Sequence, residues 1–118
     1  MKRLPEEAVV HAEQRAHPRV SANFPLEFHI GPGPAGAAAA VNISVGGLMM
    51  HSAQEVAVGT TLALRFRLTQ SDGQELTVRS RVVARQRAAD GAFHYNLAFF
   101  GVDSAVRSRI AEFVAAAA

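Results

Sequence analysis

The 118-residue sequence predicts a mainly β domain closed by a C-terminal helix. Apolar and polar residues alternate with a period of two in several short runs, and the period becomes helical only near the C-terminus. The length and the 49% hydrophobic content are enough for one domain with its own core. Short strands in antiparallel order, separated by turn signals, are typical of a small barrel or a sandwich.

Six strands account for the alternating runs. In the first, the apolar residues Phe24, Leu26, Phe28 and Ile30 alternate with polar ones, and Pro25 indicates an edge or strand-start position. A glycine- and proline-rich stretch then forms a long hairpin connection, and later Asp-Gly pairs mark two more turns. The approximate strand bounds are 24–30, 37–43, 48–51, 62–68, 76–82 and 93–99.

The two ends of the chain differ in their apolar pattern. Val106, Ile110, Phe113 and Val114 have helical spacing behind an N-cap at 103–104, which predicts a helix that covers an open end of the barrel. Residues 1–14 have helix formers but no apolar stripe, and we expect a flexible arm or a short helix there. We also expect residues up to 19 to be mobile without a ligand.

Composition excludes several classes of protein. The formal net charge of +2 is too small for bulk nucleic-acid binding, and the absence of cysteine excludes disulfides and thiolate metal sites. Acidic residues follow the first basic ones where a signal peptide would be apolar, and no apolar run is long enough to span a bilayer. The sequence therefore predicts a cytoplasmic protein without a membrane partner.

Two arginines near the start of the domain carry the first chemical signal. Arg15 and Arg19 flank Pro18, which favours extended backbone before it and would place the two arginines on one side of the chain. They would then stand about 13 Å apart, and two guanidinium groups at that distance can hold two points of one anionic ligand. Ordinary surface arginines are the alternative for an isolated R-x-x-x-R pattern.

The second signal is the segment from Asn42 to Gly47. In extended chain Asn42 and Ser44 would project together from the barrel, while Ile43 and Val45 would turn to the core. The glycines are expected to permit a turn with positive φ. An amide, a hydroxyl and free backbone N–H groups can bind a base edge or a phosphate, whereas the alternative is that both side chains only cap a hairpin.

Together the two segments resemble the PilZ domain family. Arg15 and Arg19 fit its R-x-x-x-R motif, and Asn42, Ser44 and Gly47 fit its [D/N]-x-S-x-x-G motif. The resemblance extends from about Gln14 to Val114 and includes the last strand before the helix. It implies a stand-alone PilZ domain over residues 15–118, with a six-stranded antiparallel β-barrel, a C-terminal helix and a flexible N-terminal arm.

The resemblance also implies a function. A PilZ-type protein would bind cyclic di-GMP (c-di-GMP) and regulate a partner protein in motility, exopolysaccharide or biofilm output. Arg15 and Arg19 would contact guanine and phosphate groups, Asn42 and Ser44 would contact the ligand from the barrel, and Gly47 would shape the turn. Substituting Arg15, Arg19 or Ser44 by alanine is then expected to weaken binding while leaving thermal stability nearly unchanged.

Other functions have weaker support in the sequence. No nucleophile with its base and no paired carboxylates suggest an enzyme, and the five histidines lack metal-ligand spacing, so we predict no catalytic residue, metal or cofactor. The aromatic residues alternate with the core set, which argues against a barrel that binds DNA or RNA. A PilZ-like scaffold that binds protein without nucleotide is the main alternative.

Overall fold

The computed structural model describes residues 17–68 and 73–117, and within them six antiparallel strands form a closed barrel. The order around the barrel is β1-β2-β3-β6-β5-β4, and β4 pairs back onto β1. The predicted fold class is confirmed, and closure decides for a barrel over a sandwich. The strands are β1 (Val20–His29), β2 (Gly36–Ile43), β3 (Gly47–Ser52), β4 (Thr61–Phe66), β5 (Leu76–Arg87) and β6 (Phe93–Phe100).

The inward residues of all six strands fill the barrel. Their alternation with exposed residues follows from the two-residue period of a strand and produces one continuous apolar core. Tyr95 is the largest fully buried side chain. Its hydroxyl donates to Gln54 O at 2.6 Å and accepts from Val56 N at 2.8 Å, so it ties the β3–β4 connection to β6.

The first and fifth strands are longer than the alternation predicts. β1 begins at Val20, before the first residue of the alternating pattern. A bulge between Ser21 and Phe24 interrupts the period of two, so the sequence shows the alternation only from Phe24 onward. Pro25 therefore lies inside the strand, although pairing with β4 starts only at Leu26. β5 continues past a second bulge to Arg87, where its side chains are exposed and show no alternation.

The C-terminal helix, α1 (Ser104–Ala117), packs against β1 and β5. Asp103 is its N-cap, because its Oδ1 accepts from Ala105 N at 2.8 Å. Ile110 and Val114 are buried, and the Phe113 ring meets Phe24 edge-on, with 6.4 Å between the ring centroids. The helix thus adds its apolar stripe to the barrel core, as its spacing predicts.

Some expectations concern residues outside the described ranges. The predicted arm or helix over 1–14, most of the segment expected to be mobile and the position of Arg15 lie there, as does most of the turn at 71–73. No helix within residues 17–68 and 73–117 has the length and apolar character needed to cross a membrane.

Candidate functional site at the turn between β2 and β3

The turn between β2 and β3 is held by hydrogen bonds of its own and by β6. Ser44 N donates to Gly47 O at 2.8 Å, which closes the turn, and Phe99 N donates to Gly46 O at 2.9 Å. The Ser44 hydroxyl donates to Gly47 O at 3.3 Å and accepts from Gly46 N at 3.1 Å. These contacts fix the backbone of the second motif against the last strand.

Ser44 does not share an outward face with Asn42, so that expectation is wrong. Its side chain is buried, with 3% exposure, and its hydroxyl is used within the turn. The cause is the turn itself, which ends the two-residue alternation after Ile43. Ile43 is buried and Asn42 half-buried as expected, whereas Val45 is half-buried and lies outside the core.

Gly47 is needed for space, and the expectation of positive φ at the two glycines of the turn is wrong. The glycines with positive φ among the described residues lie elsewhere, and neither Gly46 nor Gly47 is one of them. A Cβ at Gly47 would come within 2.1 Å of Leu97 O, so its absence permits close approach of β3 and β6. A Cβ at Gly46 would meet the His17 ring at 2.8 Å.

We call residues 15–19 the arginine arm, and its described part, residues 17–19, lies against this turn. Arg19 Nη1 donates to Asn42 Oδ1 at 3.2 Å, in an exposed contact between residues 23 positions apart in the chain. Ser21 pairs with Asn42 across β1 and β2, which explains why the residues just before β1 reach this turn. The structure thus brings together Arg19, Asn42, Ser44 and Gly47, while Arg15 is outside the described residues.

Sequence reasoning missed three neighbours of the turn. The exposed His17 ring lies beside Gly46. Met49 lies opposite Asn42 and also opposite Asn96 on β6. The alternation of β3 and β6 places both residues on the outer face, but only the register between strands, which a single sequence does not show, aligns them with Asn42.

Four arginines on or just after β4 and β5 have contacts within the chain. Arg65 pairs with Glu27 and Glu75, and Arg67 donates to Gly73 O. Arg79 and Arg81 instead lie over the Phe100 ring, at 5.1 and 5.9 Å from its centroid. Residues 17–68 and 73–117 contain no group of three or more histidines and acids that could hold a metal ion.

One perturbed carboxylate lies at the other end of β6. The Ala92 N–H donates to Asp90 at 2.9 Å, and this bond, with His51 at 2.8 Å, lowers the pKa of Asp90. Asp90 belongs to the β5–β6 hairpin, whereas the turn at 44–47 adjoins the opposite end of β6. It is therefore not part of the candidate site.

Comparison with known families decides the identity of the fold. A sequence model of the PilZ domain matches residues 13–116. The chain belongs to the PilZ domain family. This match includes Arg15 and every residue of the second motif, so the PilZ domain contains both segments singled out in the sequence. No curated protein is similar enough in sequence to match it.

Solved PilZ structures share the fold at low sequence identity. The PilZ domain of YcgR from Escherichia coli, solved with c-di-GMP, has 12% identity and a TM-score of 0.70 over 88% of this chain and 91% of its own. The PilZ domain of CeSA from a cellulose-synthesizing bacterium has 20% identity and a TM-score of 0.60, over 83% and 95%.

Longer proteins match over part of their length. The Klebsiella pneumoniae MrkH–c-di-GMP complex has 16% identity and a TM-score of 0.73, over 86% of this chain and 51% of that one. The Bacillus subtilis inhibitor of motility MotI (DgrA) has 15% identity and a TM-score of 0.74, over 86% and 50%. The PilZ domain described here spans about half the length of these two proteins.

Proposed function

We propose that this PilZ domain is a cytoplasmic receptor for c-di-GMP that regulates a partner protein. The contact between Arg19 and Asn42 carries the proposal, because it joins the arginine motif to the turn motif at one place on the barrel. Family membership supports the same reading, as do the structures of YcgR and MrkH, which are described with c-di-GMP.

Arg19 has the donors that an anionic nucleotide needs. Its guanidinium has five N–H groups, and the hydrogen bond to Asn42 uses one of them. It is exposed, and no carboxylate among the described residues pairs with it. A guanidinium in this state can bind a phosphate or the O6 and N7 atoms of guanine. In the proposal Arg15 provides a second guanidinium to the same ligand.

The turn provides the barrel side of the proposed site. Asn42 contacts the ligand directly, since its amide is half-buried and already meets the arm. Ser44 and Gly47 act mainly by holding the backbone of the turn in place. The buried Ser44 hydroxyl forms hydrogen bonds within the turn, and the missing Cβ of Gly47 lets the turn pack closely against β6. The site therefore has a preformed wall, and the arm completes it when the ligand binds.

The regulatory step in this proposal is a change of surface. Binding replaces the contact of Arg19 with Asn42 by contacts with the ligand and adds two phosphate charges to this side of the barrel. A partner protein that binds this surface would then bind it more tightly or more weakly. The partner would belong to a motility, exopolysaccharide or biofilm pathway. The proposal involves no catalytic step, cofactor, DNA, RNA or membrane contact.

Isothermal titration calorimetry with c-di-GMP tests the proposal. Arg15→Ala and Arg19→Ala should each weaken binding by roughly one to two decades, because a hydrogen bond to a charged group contributes about 1.5 to 3 kcal/mol. Arg67→Ala is the matched control, since Arg67 follows β4 and donates to Gly73 O. Equal affinities of all three variants and wild type for c-di-GMP would refute the site. A single-stranded oligonucleotide should not compete with c-di-GMP for binding.

A scaffold that binds protein without nucleotide is the second candidate. It is favoured by the closed state of the turn, in which the Ser44 hydroxyl and the Asn42 amide oxygen both have partners within the chain. The same titration separates the two functions. A folded wild-type protein that gives no heat and no competition with c-di-GMP would select the scaffold.

A further inference from the structure

Three side chains form a row across the outer face of the barrel beside the candidate site. Asn42 on β2 lies opposite Met49 on β3, and Met49 lies opposite Asn96 on β6. Residues directly opposite each other in antiparallel strands share a face, and all three are half-buried. Two strand spacings separate the ends of this outer row, so Asn42 and Asn96 stand about 10 Å apart across Met49.

The amides at the two ends of the outer row differ in their partners. Asn42 accepts a hydrogen bond from Arg19, and its Nδ2 lies 4.0 Å from the Met49 sulfur. Asn96 Oδ1 is buried and has no hydrogen-bond partner within the described residues. Buried polar atoms in this state are uncommon and cost stability. The amide can rotate about its terminal torsion to exchange Oδ1 and Nδ2, since no hydrogen bond from residues 17–68 or 73–117 holds that oxygen.

The surface around the outer row suits a flat ring. Gly47 and Ala98 pair with each other two residues away from Met49 and Asn96, so small residues lie on that side. The Met49 thioether is apolar and polarizable, and sulfur contacts with aromatic rings are favourable. On the side of the arm, His17 contacts Gly46 and Arg19 contacts Asn42. A base held by Arg19 can therefore extend over Met49 towards Asn96.

We infer that Asn96 recognises one guanine base of c-di-GMP by a hydrogen bond. The base lies on Met49, and its exocyclic amino group donates a hydrogen bond to Asn96 Oδ1 after the amide has rotated. This inference rests on the proposed function and adds a source of base selectivity to it. The guanine amino group is at C2; hypoxanthine has no amino group and adenine has one only at C6, so both leave the amide oxygen without this donor.

A binding cycle with two ligands tests the inference. Cyclic di-IMP has the same phosphate ring as c-di-GMP but lacks the amino group on each base. Asn96→Ala should weaken c-di-GMP binding by roughly threefold to tenfold, the size of one hydrogen bond, and should leave cyclic di-IMP binding nearly unchanged. The two changes are then non-additive, which is the mark of a direct contact. Calorimetry of wild type and variant with both ligands gives the four affinities.

Asn23→Ala is the matched control, because it removes an exposed amide from the β1 bulge, outside the outer row. It should bind both ligands as wild type does. Retained binding of cyclic di-IMP by Asn96→Ala shows that this variant is folded. Equal losses for both ligands, or no loss for either, would overturn the inference and leave the receptor function standing. Wild type that binds neither ligand would overturn the receptor function itself.

Discussion

Ser44 stabilises the turn between β2 and β3 through one buried hydroxyl. The hydroxyl accepts from Gly46 N and donates to Gly47 O, and it is 3% exposed. Ser80 offers a contrast on β5: its hydroxyl is fully buried but has no hydrogen-bond partner within the described residues. The same functional group therefore has opposite energetic consequences at the two positions, because only Ser44 satisfies other buried groups.

We expect Ser44→Ala to lower the free energy of unfolding by about 1 to 3 kcal/mol, since the Gly46 N–H loses its hydrogen-bond partner, whereas Gly47 O keeps the bond from Ser44 N. This revises the expectation from the sequence that stability would be unchanged. Ser80→Ala should change the free energy by less than about 1 kcal/mol, because no hydrogen bond is lost. Urea unfolding of both variants measures the difference. Equal midpoints would show that the hydroxyl does not hold the turn.

At the scale of elements, the site depends on how closely β3 approaches β6. The two strands pair from Gly47 opposite Ala98 to Ser52 opposite Phe93, and the turn before β3 accepts a further bond from Phe99 N. Gly47 is where this approach is tightest, because an added Cβ would lie 2.1 Å from Leu97 O. A backbone oxygen in a paired strand cannot move without disturbing the ladder on both sides.

Gly47→Ala should therefore lower the free energy of unfolding by about 1 to 3 kcal/mol, the usual cost of an overpacked site. Gly46→Ala is the neighbouring control: its Cβ meets the exposed His17 ring, which can move aside, so we expect a change within about 0.5 kcal/mol. Thermal unfolding of the pair gives the comparison. A Gly47→Ala protein as stable as the Gly46→Ala protein would contradict the close approach.

At the scale of the whole molecule, the closed barrel and the exposed residues 17–19 differ in how firmly they are held. Closure leaves no unpaired strand edge, and α1 adds Ile110 and Val114 to the core. Residues 17–19, by contrast, are exposed and meet the barrel through the His17–Gly46 and Arg19–Asn42 contacts. A ligand that binds Arg19 would therefore act on the arm far more than on the barrel.

Hydrogen exchange should show this division. On adding c-di-GMP, the amides of His17 and Arg19 should gain protection, while those of β4 should change little, because β4 belongs to the closed core. The gain should vanish in the Arg15→Ala, Arg19→Ala double variant and shrink at high salt, which screens the attraction to the phosphates. Full protection of these amides before ligand is added would contradict the proposal that the arm closes on the ligand.

The sequence by itself determined the strands, the closing helix and the two motifs. The two-residue alternation exposes which strand faces are apolar, and the helical spacing of Val106, Ile110, Phe113 and Val114 marks the final helix. These are local patterns, so they can be read without knowing what the chain packs against. The bulges at 21–24 and 82–84 could not be predicted from these patterns, because they interrupt the alternation.

Only the tertiary structure decided how the motif residues are used. The turn buries the Ser44 hydroxyl, and the approach of β6 gives Gly47 a steric role in place of a conformational one. Register across β2, β3 and β6 aligns Met49 and Asn96 with Asn42. The steric role of Gly47 and the alignment of Met49 and Asn96 depend on pairs of residues far apart in the chain, and a local pattern carries no information on which distant backbone lies beside it.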